Sequence, residues 1–197
     1  MHGIILKTVE AYLSARHGAA AWAAVAQAAD LPDAIDTMRR HPPEVAERVL
    51  SAAAAKTGRP LDDLLEDMGT WLCTAPETEA IRRLLRFGGP SYPDMLYALD
   101  DMGERARLAV SDLDLPDLSL TEQGEGRFRI ASTWPIAGAG ACIVGILRAL
   151  ADDYGTLAVV AHEGRRAAAG FCMEMISVQV HDEVFADPRA FKLGGAA

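Results

Sequence analysis

Paired acids, and a histidine and a cysteine around one turn, are the residues of this chain whose types and spacing could do chemistry. Asp62-Asp63, Glu66-Asp67, Asp100-Asp101 and Asp152-Asp153 have the make-up of general acid and base pairs. Each lies in a Leu-rich helical pattern, where such residues read as the solvated face. His162 and Cys172 flank the stretch GRRAAAGF, and such a pair can bind zinc. A closed structural zinc site needs four ligands, and only Glu163 is close enough to add a third, so no metal is assigned. Arg165-Arg166 reads as a solvated hairpin turn. The chain has no nucleophile elbow and no phosphate-binding Gly-Lys-Ser/Thr loop, and GGPSYP is too Pro-rich for a dinucleotide fingerprint. No catalytic residue is assigned, and the chain reads as a protein that is not an enzyme.

Composition narrows the partners. At 197 residues one core is expected, and a 50% hydrophobic content is ample to build it. The net charge of −9 argues against nucleic acid, whose phosphates need clustered Lys and Arg. No apolar run reaches the roughly 18 residues of a membrane span, and Met1-His2-Gly3 lacks the basic start of a signal peptide. Cys73, Cys142 and Cys172 are odd in number and far apart, which fits a reducing cytoplasm, and they read as small core residues.

The elements that must position any site change character midway. Ile5, Val9, Tyr12 and Leu13 recur at helical spacing, predicting a helix over Ile4 to Leu13 that His17-Gly18 ends. An Ala-rich helix from Ala19 to Ala29, one from Pro43 to Lys56, and one from about Pro60 to Leu72 follow. After Thr74-Ala75-Pro76 the chain reads as helical to Phe87, breaks at Gly88-Gly89-Pro90, and is helical again from Tyr92 to Val110. Leu118 to Leu120 and Phe128 to Ala131 then predict two short strands joined by the Gly-rich stretch from Thr121 to Gly126. A helix from Gly140 to Tyr154 stops at Gly155, and Leu157 to His162 and Phe171 to Gln179 form a second hairpin. In its last strand Phe171, Met173, Met175, Ser177 and Gln179 alternate with Cys172, Glu174, Ile176 and Val178. The fold class is α+β: a helical N-terminal half, then a four-stranded antiparallel sheet with a packed helix. One domain is expected over 1–181, helical over 1–60 and mixed over 61–181, with a loose tail over 182–197.

Five segments in this order resemble one family. They are MHGIILKTVEAYL with its continuation HGAAAWAAVAQAADL, VLSAAAAKTGRPLDDLLEDMG from Val49 to Gly69, ALDDMGERAR from Ala98 to Arg107, LPDLSL, and CIVGILRALADDYG. The chain is similar to the heme nitric-oxide/oxygen binding (H-NOX, or HNOB) family from Met1 to about Val180. That resemblance implies the H-NOX fold and a cytoplasmic, bacterial type of gas sensor. It also implies a signalling partner such as a histidine kinase or a cyclic-di-nucleotide enzyme, with no nucleic acid and no membrane.

The same resemblance places Gly103 where the family's proximal histidine supplies the fifth ligand to heme iron. Glycine has no donor atom. Ser132, Trp134 and Ile136 fall at the family's Tyr-x-Ser-x-Arg motif, which grips the heme propionates. No arginine lies between Arg129 and Arg148, and the bidentate fork has no neutral substitute. The family's apolar pocket maps to Ile5, Val9 and Pro116, with Met95, Leu99 and Leu108 on the opposite wall. Three other iron donors are weighed and set aside: Met102 points about 100° away from Gly103 around the helix, Tyr97 is more than one turn away, and His2 reads as a terminal surface residue.

Two readings follow, the first leading and the second its alternative. In the first, Ile5, Val9, Met95, Leu99, Met102, Gly103, Pro116, Trp134 and Ile136 surround a pocket for heme without its histidine, another tetrapyrrole, or a flat apolar ligand. The chain is then a non-catalytic sensory or regulatory protein. In the second, Trp134, Ile136 and their neighbours plug the cofactor site, and the chain is a heme-free interaction module. The replacement of Ser and Arg by Trp and Ile favours the second reading, and the space opened by Gly103 favours the first.

Overall fold

Helices occupy the chain as far as Ala109, and a sheet with one helix across it follows, as the change of periodicity predicts. The computed structural model describes residues 2–32, 35–110, 113–168 and 170–190. The helices are α1 Gly3–His17, α2 Ala19–Ala28, α3 Pro43–Thr57, α4 Leu61–Thr74, α5 Glu79–Arg86, α6 Tyr92–Tyr97, α7 Met102–Ala109 and α8 Ala139–Tyr154. The strands are β1 Asp117–Gly124, β2 Arg127–Trp134, β3 Leu157–Ala168 and β4 Phe171–Asp182. In α1 the buried positions Leu6, Val9 and Leu13 form one apolar stripe, and Gly18, at φ 86°, ends the helix.

The helix expected from Tyr92 to Val110 is instead two. Between Tyr97 and Met102 the chain turns, and the Asp100 carboxylate accepts the Leu120 N–H of β1 at 2.7 Å. A side chain that bonds a distant backbone group draws its own segment out of the helix. The strands are longer than expected. β1 and β2 are eight residues each, and the connection between them shrinks to Glu125-Gly126, both at positive φ (53° and 69°), as a tight hairpin turn requires. The sheet runs in the order β1-β2-β4-β3, every neighbour antiparallel.

Two apolar cores result. The first gathers Leu6, Val9, Leu13, Val25, Val49, Leu65 and Trp71 from α1 to α4. The second packs Tyr92, Met95, Leu96 and the inner face of the sheet against Val144, Leu147 and Leu150 of α8. They are joined where α4 crosses α8. A Cβ on Gly69 would stand 2.0 Å from the Cys142 carbonyl oxygen, and one on Gly145 1.9 Å from that of Glu66. Only glycine lets the two backbones approach so closely.

Two expectations are corrected. Asp152-Asp153 was read as a solvated pair, but only Asp152 is exposed. Asp153 is 5% exposed and is gripped by Arg82, with Nη2 at 2.7 Å and Nε at 3.1 Å from both carboxylate oxygens. Arg86 stands at 3.5 Å from the same carboxylate, its guanidinium over the Tyr154 ring. The tail is the second correction. Residues 183–190 are tied down by the Ala186 N–H to the Gly155 carbonyl, the Arg189 N–H to that of Asp153, and Arg82 to that of Ala190. Residues 191–197 of the expected tail lie outside the described residues.

Asp153 serves two buried guanidinium groups, so removing it takes that carboxylate from both, whereas removing Arg82 leaves Arg86 on Asp153. Asp153→Ala should cost about 3–5 kcal/mol in urea unfolding, and Arg82→Ala less. A larger loss in Arg82→Ala than in Asp153→Ala would contradict the arrangement. Burial also pushes the thiols of Cys73 and Cys142 up to about 12 from an ordinary 9.0, and raises the phenols of Tyr12 and Tyr92. With folded values above unfolded ones, this stability is complete below about pH 9 and is lost as pH rises, because the unfolded chain ionises first. Urea midpoints measured from about pH 8 to about pH 11 should therefore hold and then fall. A flat profile would mean that these groups are solvated.

Candidate functional site

The position that matters most for iron is the first turn of α7. Gly103 is half-buried there, and a Cβ on it would meet the guanidinium of Arg107, the nearest atom at 3.7 Å. Met102 lies partly buried against the second core, in the packing role that the sequence suggests. Tyr97 is 49% exposed and donates to Glu122 at 2.6 Å. That hydrogen bond raises its pKa. His2 is the surprise. Read from sequence as a surface residue, it is fully buried: its Nδ1 accepts the Ile4 N–H at 3.3 Å as the N-cap of α1. Its Nε2 is buried and has no hydrogen-bond partner among the described residues.

The strand end that carries Ser132, Trp134 and Ile136 holds a polar cluster that sequence reasoning did not single out. Glu174 is 1% exposed, lies across from Ser132 in the β2–β4 register, and receives the N–H groups of Gly138 and Gly140, each at 2.5 Å. Those donors open α8, so a carboxylate sits at the positive end of the helix dipole. His162 Nε2 stands 3.3 Å from the same carboxylate and Cys172 Sγ 3.8 Å from it. A Cβ on Gly140 would come within 2.3 Å of Glu174 and 2.9 Å of His162, so only glycine fits beneath the pair. One signal was available: Glu174 stands alone among Cys172, Ile176 and Val178 on the inward positions of β4. Ser132 Oγ and Trp134 Nε1 are buried without a partner among the described residues. Among those residues, no group of three His, Cys, Asp or Glu side chains is placed to hold a metal ion.

The pocket candidates are divided between the two cores. Val9 and Ile136 are buried in the first core, with Ile5 and Trp134 packed against it. Met95 and Leu99 are buried in the second, with Met102 at its edge. Ile146 of α8 packs against both. Leu108, assigned to a pocket wall, is instead 90% exposed, a correction. Pro116 is half-buried immediately before β1. Two cavities among the described residues lie elsewhere. One of about 530 Å³ is lined by Tyr97, Phe128, Glu122 and Glu183. Another of about 290 Å³ lies between Thr70, Arg148 and Arg189.

Comparison with known proteins places this architecture. Soluble guanylate cyclase gcy-31 of Caenorhabditis elegans is 25% identical over 117 residues, which are 59% of this chain and 17% of that protein. The chain therefore spans only a small part of the curated relative it matches. An H-NOX mutant of T. Tengcongensis superposes with a TM-score of 0.75 at 14% identity, covering 94% of this chain and 100% of the other. An S. oneidensis H-NOX mutant in the Fe(II) ligation state gives 0.73 at 14% identity, over 93% and 97% of the two chains. A Cs H-NOX mutant carrying 4-cyano-L-phenylalanine gives 0.76 at 13% identity, over 95% and 100%. At such identities the superpositions speak for the fold, and a sequence model matching residues 2–162 speaks for descent. With helices, crossing and sheet in the family's order, this chain belongs to the Haem-NO-binding (H-NOX) family.

Proposed function

We propose that this chain is a regulatory domain on the H-NOX scaffold whose cofactor space is filled by its own side chains, and that it acts on a signalling partner without catalysis of its own. The observation that carries this reading is where the cavities lie: neither the one of about 530 Å³ nor the one of about 290 Å³ is lined by any of the pocket candidates, and the core that holds Val9 and Ile136 meets the core that holds Met95 and Leu99 across Ile146. The donors agree with it. Gly103 offers no iron ligand, and the buried thiols of Cys73 and Cys142 stay protonated well above neutral pH. The anion at the start of α8 is the chain's own Glu174, at the strand end where the resemblance puts a grip on propionates. These residues do not fit heme held by an imidazole and an arginine fork. The partner class is a histidine kinase, a cyclic-di-nucleotide enzyme, or a catalytic region of the kind named in the guanylate cyclase relative.

One observation favours a second reading, in which a tetrapyrrole or other flat apolar ligand enters. The buried, unpartnered Nε2 of His2 heads the stripe that continues through Ile5 and Val9, three and seven residues on along α1. Because Nδ1 accepts the Ile4 N–H, the neutral ring carries its proton on Nε2, so ligation through Nε2 requires the ring to change tautomer and give up that cap.

Absorption spectra recorded during titration of the reduced protein with hemin decide between them. We expect no saturable Soret band in the wild type, and none in Gly103→His alone, with one emerging only when Gly103→His is combined with Trp134→Ser and Ile136→Arg. A sharp, saturable band in the wild type would overturn the filled-site reading. Its loss in His2→Ala would establish the second.

A further inference from the structure

The sheet has one face against α8 and one face without such cover. Antiparallel sheets of this kind normally turn polar residues outward. Here the outward positions of β4 are Phe171, Met173, Met175, Ser177 and Gln179, with Phe171 39% and Met173 38% exposed. An exposed apolar strip of this sort marks an interaction surface, and methionine suits one because it adapts its shape.

The register fixes what surrounds the strip. Because β4 lies between β2 and β3, each outward residue of β4 has one neighbour on either side. Met175 lies between Ala131 and Gly164, Met173 between Thr133 and Arg166, and Ser177 between Arg129 and Ala161. Asp117 of β1 pairs with Thr133, and Ser177 donates to Glu163 of β3 at 2.5 Å. The face therefore carries Arg129 and Glu163 at one level, on opposite sides of β4, and Arg166 and Asp117 at another, again on opposite sides. All four are exposed, and neither Arg129 nor Arg166 has an ion pair among the described residues.

We infer that this face is a dimer interface, covered by a second copy of the chain related by a two-fold axis along β4. Rotation about such an axis lays β4 over the partner's β4, β2 over the partner's β3, and β3 over the partner's β2. Phe171, Met173 and Met175 then meet their own copies on the axis. Arg129 stands over the partner's Glu163, and Arg166 over the partner's Thr133 and Asp117. Ala131 faces the partner's Gly164, leaving room for the flanking methionines. Arg129 and Arg166 each meet an acidic residue, the self-complementarity that an isologous contact demands, and Arg127 keeps its own Glu125. A second copy of a chain with net charge −9 is otherwise repelled, so this match is what permits approach. Sheets packed in this manner lie about 10 Å apart with strands within about 30° of one another. At strand and residue spacings of about 4.8 Å and 3.3 Å, four strands and five levels give on the order of 500 Å² per copy. That is the low end of specific interfaces, the size of weak and reversible associations.

Sedimentation velocity of the full chain, from about 1 to about 200 µM, tests this. The wild type should pass from monomer to dimer over that range. Met175→Asp should remain monomeric throughout, with an unchanged far-UV circular dichroism spectrum and melting profile. Arg129→Glu and Glu163→Arg, both at exposed positions and so harmless to folding, should each weaken the dimer at least tenfold. The two together should restore it. A monomeric wild type at every concentration, a dimer indifferent to these changes, or failure of the paired exchange to restore association would overturn the proposal.

Discussion

At Gly69 and Gly145 the backbones of α4 and α8 are in contact, and the placement of nearly every other element follows from it. α4 carries Leu64, Leu65, Met68 and Trp71 into the first core, so α1, α2 and α3 assemble around it. α8 carries Val144, Leu147 and Leu150 into the second, so the sheet and α6 assemble around that helix. The Thr70 hydroxyl donates to the Gly145 carbonyl and Arg148 pairs with Glu66 at the same crossing. Any side chain at either glycine would separate the two halves, because the clash is with backbone rather than with a side chain that could swing aside.

Around that joint, buried charge fixes the ends of α8. Its N-terminus is closed by Glu174 from β4, and its C-terminus is held by Arg82 and Arg86 on Asp153. Both arrangements join segments far apart in sequence, and both place carboxylates where water is excluded, so each depends on complete hydrogen bonding to be tolerated. At the α1–α4 contact, burial pushes the Asp67 carboxyl up, but the Tyr12 hydroxyl, Arg16 and Arg59 outweigh it and hold its pKa below the usual value. The scaffold thus spends its buried polar groups on holding the halves in place, and its apolar residues fill the interior on either side.

The order of helices and strands was legible because periodicity and glycine stops are local signals. The alternation of β4 and the cap at Gly18 are examples, and both appear where the sequence puts them. The break between α6 and α7 was not legible, because it depends on the Asp100 carboxylate reaching a strand twenty residues away. Asp153 and the tail were illegible for the same reason, that their partners lie far off in the chain: Arg82 for the Asp153 carboxylate and the Ala190 carbonyl, and the Gly155 and Asp153 carbonyls for the Ala186 and Arg189 N–H groups. At the candidate site, Gly103 and the missing arginine could be read directly from the family spacing. Which core each pocket residue joins could not, since helix periodicity reports that a residue faces inward but not what it meets there. Glu174 lay between these cases. Its place on an inward stripe was visible, and its partners were two backbone N–H groups that no side-chain pattern reveals.

If the chain's own side chains occupy the space between the two cores, a crystal structure of the protein purified from cells supplied with a heme precursor should show it. Val9, Ile136, Met95 and Leu99 should be packed in their two cores with Ile146 touching both, and no porphyrin density should lie beside α7. A tetrapyrrole lying between the cores, with these side chains drawn back to make room for it, would overturn the filled-site reading.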